Sequence, residues 1–234
     1  MKLYVFLPSS RALGVLALKS HLELDCEVQA IDLGRGDQLA PAYLALNPNS
    51  KMPTLEDDGF VLWESNAILF YMAAKRLESG LWPSDLRGQA DVLRWLAWQN
   101  AHWDAESCGM VAYEKSSKAV LGRGSPDPAF IARGEQNFAR FAAVLDAALR
   151  GKTWLLGERL TIADFSIGQL VPSAEHMGLP IGNFAEIVRW YNGLAALPAW
   201  QKALAIKHEA MDAWLSQRGH ATGALAGSNR RSQE

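Results

Sequence analysis

The chain has 234 residues, 49% of them hydrophobic and 21% charged, room for one large domain or two modest ones around a buried core. A formal net charge of −2 argues against general electrostatic attraction to nucleic acid, and every apolar run is broken by charge or glycine before membrane-spanning length. Cys26 and Cys108 stand far apart, outside any CxxC or metal-ligand spacing, and the five histidines are scattered; neither a disulfide scaffold nor a metal centre is expected, and a reducing cytoplasm fits.

In chain order, MKLYVFL alternates from Lys2 to Phe6 and meets Pro8, which reads as a first strand with no export signal. From Ser10 to Leu22 the pattern is helical, with Val15, Leu18 and Leu22 on one face. Cys26 to Ile31 reads as a second strand, followed by a GRGDQ loop. A short helix from Pro41 to Leu46 is stopped by Asn47-Pro48. Thr54 to Glu56 and Phe60 to Trp63 form a hairpin about Asp57-Asp58-Gly59. A helix follows with Ile68, Tyr71 and Met72 turned inward, ending near Leu77. The order is β-α-β-α-β-β-α.

Composition then changes. The turn formers SGLWPSD, Ser79 to Asp85, read as a linker. Beyond them only helical stripes recur: Trp95, Trp98 and His102; then Phe138, Phe141, Ala142, Leu145 and Leu149; then Ala203, Ile206, Ala210 and Trp214. GRGSPDP, Gly122 to Pro128, separates two of these helices. The expected organisation is therefore an α/β unit over 1–78, a linker over 79–86, an all-helical unit over 87–216, and a small, polar, disordered tail over 217–234.

The chemistry concentrates in KMPTLEDDGFVLWESNAI, Lys51 to Ile68. Pro53 cannot donate to a sheet ladder, so it marks an edge strand or a cis peptide whose neighbour faces a ligand. In the second case Met52 offers its N–H and C=O to an extended peptide. Ser65 is a natural helix N-cap, and a helix N-terminus with a hydroxyl also suits a carboxylate. Glu64 beside it can orient an ammonium group. Together these residues describe a site for an extended peptide with a carboxylate at one end.

NPNSKMPTLEDDGFVLWESNAI closely resembles the glutathione-binding part of the cytosolic glutathione transferases. GERLTIADF, Gly157 to Phe165, resembles their second signature, a capping box of Thr161 and Asp164. The resemblance runs to about Leu215 and implies a thioredoxin-like first domain, an all-helical second domain and a homodimer. It implies that Met52, next to cis-Pro53, pairs its backbone with the cysteinyl part of glutathione, and that Glu64 and Ser65 hold the γ-glutamyl end. Lys51 and Gln38 point towards the glycine carboxylate, Gln38 standing where a histidine is often found. The thiol activator lies just after the first strand. The theta-like pattern points to Ser9 and the beta-class cysteine position to Ser10, with Ser9 favoured. Tyr4 sits too early in the strand for that role, and Arg11 reads either as an electrostatic aid to the thiol or, the favoured reading, as a solvated side chain. His102 and Trp103 are candidates for the second-substrate pocket, although an aromatic-rich stripe also reads as core. The implied activity is conjugation of the ionised glutathione thiol to a small apolar electrophile, a detoxification chemistry without metal. The alternative is a non-catalytic glutathione- or ligand-binding or interaction module on the same fold.

Overall fold

The computed structural model describes residues 1–118 and 121–228. Its first part is a four-stranded mixed sheet in the order β2-β1-β3-β4, built from β1 (Lys2–Val5), β2 (Glu27–Ala30), β3 (Thr54–Asp57) and β4 (Phe60–Trp63). β1 pairs β2 in parallel and β3 antiparallel, and β3 pairs β4 antiparallel across the expected hairpin. Leu3 and Val5 point one way into the core, under α1 (Ser10–His21) and α3 (Ser65–Ala74). Tyr4 points the other way, its ring 6.0 Å from that of Tyr43 on α2 (Pro41–Leu46). This alternation is the period-two consequence of the pleat. The arrangement is the thioredoxin-like unit that the family resemblance implies.

The second part is helical: α4 (Leu86–Trp98), α5 (Gly109–Ala112), α6 (Pro128–Leu149), α7 (Ile162–Gly168), α8 (Val171–His176), α9 (Ala185–Ala195) and α10 (Pro198–Ser228). The stripe Phe138, Phe141, Ala142, Leu145 and Leu149 is buried throughout. Two differences from the expected pattern have physical causes. α4 does not continue as a plain α-helix but passes into a π-helical segment, Gln99–Cys108, and α5 passes into another, Tyr113–Ser117. Apolar periodicity cannot reveal the inserted residue that a π turn absorbs. The last helix runs through Ser228, beyond 216, because extending a helix costs far less than starting one. The end of the expected tail, 229–234, lies outside the described residues.

The two parts share one core, and α1 lies at its centre. Ala12 to Leu18 are all buried, since α3 and the sheet cover one side while α7 and α10 cover the other. The capping box forms at the start of α7. The fully buried Asp164 accepts from the Thr161 N–H (2.9 Å) and hydroxyl (3.1 Å), the Leu155 N–H (2.9 Å) and Trp190 Nε1 (2.8 Å).

Candidate active site

The strand register brings the candidate residues to one end of the sheet. Tyr4 of β1 pairs with Thr54 of β3, which pairs with Trp63 of β4. Just past Tyr4, β1 turns into α1; just before Thr54 stands Met52-Pro53; just past Trp63 comes Glu64-Ser65. The start of α1 and the two flanks of the β3–β4 hairpin therefore converge where two helices begin.

At the first, the Ser9 N–H donates to the Phe6 carbonyl (2.9 Å), closing a turn that sets Ser9 as the N-cap of α1. Its Oγ accepts from the Arg11 N–H at 3.2 Å. That leaves the Ser9 O–H as a donor at the positive end of a twelve-residue helix. Ser10 differs: its hydroxyl hydrogen-bonds the Ser173 hydroxyl on α8. The Tyr4 hydroxyl donates to Glu56 at 3.0 Å, and burial followed by that bond raises its pKa.

At the second, the Met52–Pro53 peptide is cis. The loop before it is held from beneath by residues that the sequence reading did not single out. The Tyr43 hydroxyl and Asn47 Nδ2 both donate to the Lys51 carbonyl, at 2.6 and 2.8 Å, and both meet Thr54 Oγ1, at 3.0 and 3.1 Å. Asn47, Tyr43 and Thr54 are buried, so this bracing is shielded from water and rigid. A hint was available: Asn is a residue of turns, but its partner Tyr43 emerges only in three dimensions. The Lys51 side chain is exposed. Gln38, on a 3₁₀ turn (Asp37–Leu39), has a buried Oε1 with no hydrogen-bond partner among the described residues.

At the third, Glu64 adopts φ 73°, ψ 119° ahead of α3, a conformation L side chains rarely take and one that concentrates at functional sites. Ser65, read from the sequence as the N-cap, is instead the first residue of α3, with Glu64 at the cap position and no capping side-chain bond; it is buried, and its hydroxyl bonds no described residue. Asn66 is also buried. Its Nδ2 donates to the Leu96 carbonyl (3.0 Å) and Gln99 Oε1 (3.1 Å), and its Oδ1 accepts from Ser166 (2.7 Å). One amide thus ties the α/β part to α4, its π segment and α7.

With this geometry in view, comparison with known proteins is decisive. The models for the N-terminal and C-terminal domains of glutathione S-transferase match residues 1–74 and 128–215. Glutathione S-transferase 3 of Zea mays is 30% identical over 211 residues, 88% of this chain and 93% of that protein. The chain belongs to the glutathione S-transferase family. Glutathione S-transferase D7 of Drosophila melanogaster is likewise 30% identical, over 84% of both chains. A family member from Pseudomonas fluorescens, crystallised with two glutathione bound, superposes with a TM-score of 0.75 at 28% identity, covering 87% of this chain and 91% of that one.

Within this transferase, the two aromatic candidates of the helical part fare differently from the rest. Trp103 is 0% exposed, its ring stacked on Trp98 (centroids 5.9 Å apart) and 5.5 Å from Phe138. It is a core residue and not a pocket wall, because the π segment turns it inward. His102 lies against Phe141 and Trp98, its Nδ1 buried without a partner among the described residues. The Arg11 side chain is exposed along part of its length, as expected, but its guanidinium forms an ion pair with the buried Asp104 of the π segment. Burial pushes the Asp104 carboxyl up, and the Arg11 guanidinium and Gln99 oppose that rise. Both cysteines are buried and free, and burial raises both thiols, Cys108 the more strongly. No described group of His, Cys, Asp or Glu could hold a metal ion, and no described helix is long and apolar enough to cross a membrane.

Proposed function

We propose that this transferase binds glutathione extended across the converging segments, ionises its thiol at Ser9, and directs the sulfur onto a small apolar electrophile, as a cytoplasmic homodimer. The Met52 backbone pairs with the cysteinyl part. The α3 N-terminus, with Ser65 and Glu64, receives the γ-glutamyl carboxylate and ammonium. Lys51 and Gln38 serve the glycine end. The thiolate forms the new C–S bond, and the electrophile's leaving group departs with its electron pair, or its π bond takes up a proton.

The observation that carries the reading is the Ser9 hydroxyl. It accepts from the Arg11 N–H and keeps its own proton to donate at a helix N-terminus, whereas the Ser10 hydroxyl is engaged by Ser173. A free thiol is only about 3% ionised at neutral pH. Lowering its pKa by about two units requires about 2.7 kcal/mol, within reach of a charge-assisted hydrogen bond and a helix end. Catalysis then follows from nucleophile activation and proximity.

Calorimetric titration with glutathione and S-methylglutathione near neutral pH tests this reading. Binding of both, with proton release only for the free thiol, is expected. Binding without proton release supports the non-catalytic module instead, and no binding to either removes the glutathione assignment. Ser9→Ala should lower kcat/KM about a hundredfold or more while glutathione affinity changes little. A larger loss in Ser10→Ala than in Ser9→Ala moves the role to Ser10.

A further inference from the structure

We propose that Arg11 is a positioning residue of the transfer reaction: its side chain is fastened to the helical part through Asp104, and its backbone N–H thereby fixes the Ser9 hydroxyl in the orientation that serves the thiol. The inference rests on the Ser9 reading above and adds a residue to it.

Arg11 is tied at both ends. Its N–H donates to Ser9 Oγ at 3.2 Å, and its guanidinium pairs with Asp104, whose carboxylate is only 4% exposed while the Arg11 side chain is 47% exposed. A surface arginine contributes little by pairing with a mobile carboxylate. Asp104, however, is immobilised by its surroundings. Its helix is π-helical there, and hydrogen bonding i→i+5 brings Gln99 and Asp104 nearly into line. On a 3.6-residue helix the two would diverge by about 140°. Here both are buried and face the α/β part, Gln99 towards Asn66 and Asp104 towards Arg11. Gly109 completes the seat: a Cβ there would lie 1.8 Å from Asp104 Oδ1 and 2.8 Å from the Asp104 carbonyl oxygen.

The outcome is a pair of polar ties across the two parts: Ser166–Asn66–Gln99, with Asn66 next to Ser65 at one helix N-terminus of the site, and Asp104–Arg11–Ser9 at the other. Removing the Asp104 charge leaves an unpaired guanidinium that swings to water, and the first turn of α1 loses its external anchor. Other charged groups near α1 lie elsewhere. Lys19, Glu23 and Lys202 line a separate cavity, His21 packs on Phe165, and Lys207 sits on the buried face of α10.

The test is the pH profile of kcat/KM for Asp104→Asn, Arg11→Ala and Arg11→Lys, alongside the thiolate absorbance of bound glutathione. The wild-type chain is first shown to bind glutathione with proton release; failure there rejects the underlying reading, whatever the variants do. Asp104→Asn and Arg11→Ala are expected to raise the thiol pKa by about one unit, a roughly tenfold deficit at neutral pH that closes at alkaline pH, where the thiol ionises unaided. Arg11→Lys, keeping the charge and the backbone N–H, should recover most of the loss. The double variant Arg11→Ala/Asp104→Asn should be no worse than either single one, since the two act as a unit. A deficit that is the same at every pH, or one that appears only as a higher KM for glutathione, overturns the proposal and leaves the pair a structural bridge. Unchanged profiles overturn it too. If Asp104→Asn fails to fold, Arg11→Ala and Arg11→Lys carry the same comparison from the exposed end of the pair.

Discussion

Ser9 and Ser10 are adjacent and chemically identical, yet their surroundings separate them. One caps a helix with a proton to spare, and the other is bound to Ser173. Similar local logic governs Asp57, which receives hydrogen bonds from Lys75 and the Tyr71 hydroxyl (2.8 Å). The Lys75 ammonium first, then Tyr71, hold the Asp57 carboxyl below its ordinary value. A depressed folded-state pKa means that the unfolded chain takes up the proton more readily. The stabilisation is therefore complete above the ordinary carboxylate pKa of about 4 and is lost as pH falls through the lower folded value. The Asp57→Asn chain should have a lower urea midpoint than wild type at neutral pH, and the two should converge near pH 2 or so. A gap that persists in acid would assign the effect to packing.

At the scale of elements, the start of α7 concentrates the most polar demand on one side chain. Asp164 accepts four hydrogen bonds in a site with no water access. Asparagine keeps the shape but cannot accept from every donor, and each buried donor left over costs about 1–3 kcal/mol. Asp164→Asn should lose about 3 kcal/mol, a fall in Tm of about 6–12 °C for a chain of this size, measured by calorimetry. A change within about 1 °C would show that the cap is dispensable. The capping box was legible because its spacing, Thr161 and Asp164 ahead of Phe165, is local. The donors from Leu155 and Trp190 were not, since nothing in GERLTIADF names them. The π segment was hidden for a related reason. Trp98, His102 and Trp103 read as a continuing aromatic stripe, and only the inserted residue per turn decides that Trp103 points to the core and Asp104 to α1.

For the molecule as a whole, the site exists because two parts share α1. Asn66 and the Arg11–Asp104 pair fasten the sheet-bearing part to the helical part on either side of the converging segments. The proposed homodimer belongs to this scale also. Phe60, Trp63, Phe70, Leu93 and Val144 are large apolar side chains left exposed on the protomer, surface that a partner subunit would cover. Sedimentation velocity should give a single species of twice the 25.7 kDa chain mass at micromolar concentration. A protomer-sized species that is active would remove the dimer from the mechanism.

By itself the sequence determined the element order, the hairpin, the importance of the Met52-Pro53 stretch, the Thr161–Asp164 capping box and the family resemblance. These are encoded within a few residues of one another, through turn chemistry, apolar period and short motifs. Tertiary structure alone decided which serine keeps its proton to donate, that the half-exposed Arg11 is anchored to Asp104, that Tyr43 and Asn47 brace the Met52 loop, and that Trp103 is core. The serine and the arginine are decided by partners as far off as Ser173 and Asp104, and even the shorter-range bracing depends on where side chains meet in space, which no local pattern carries.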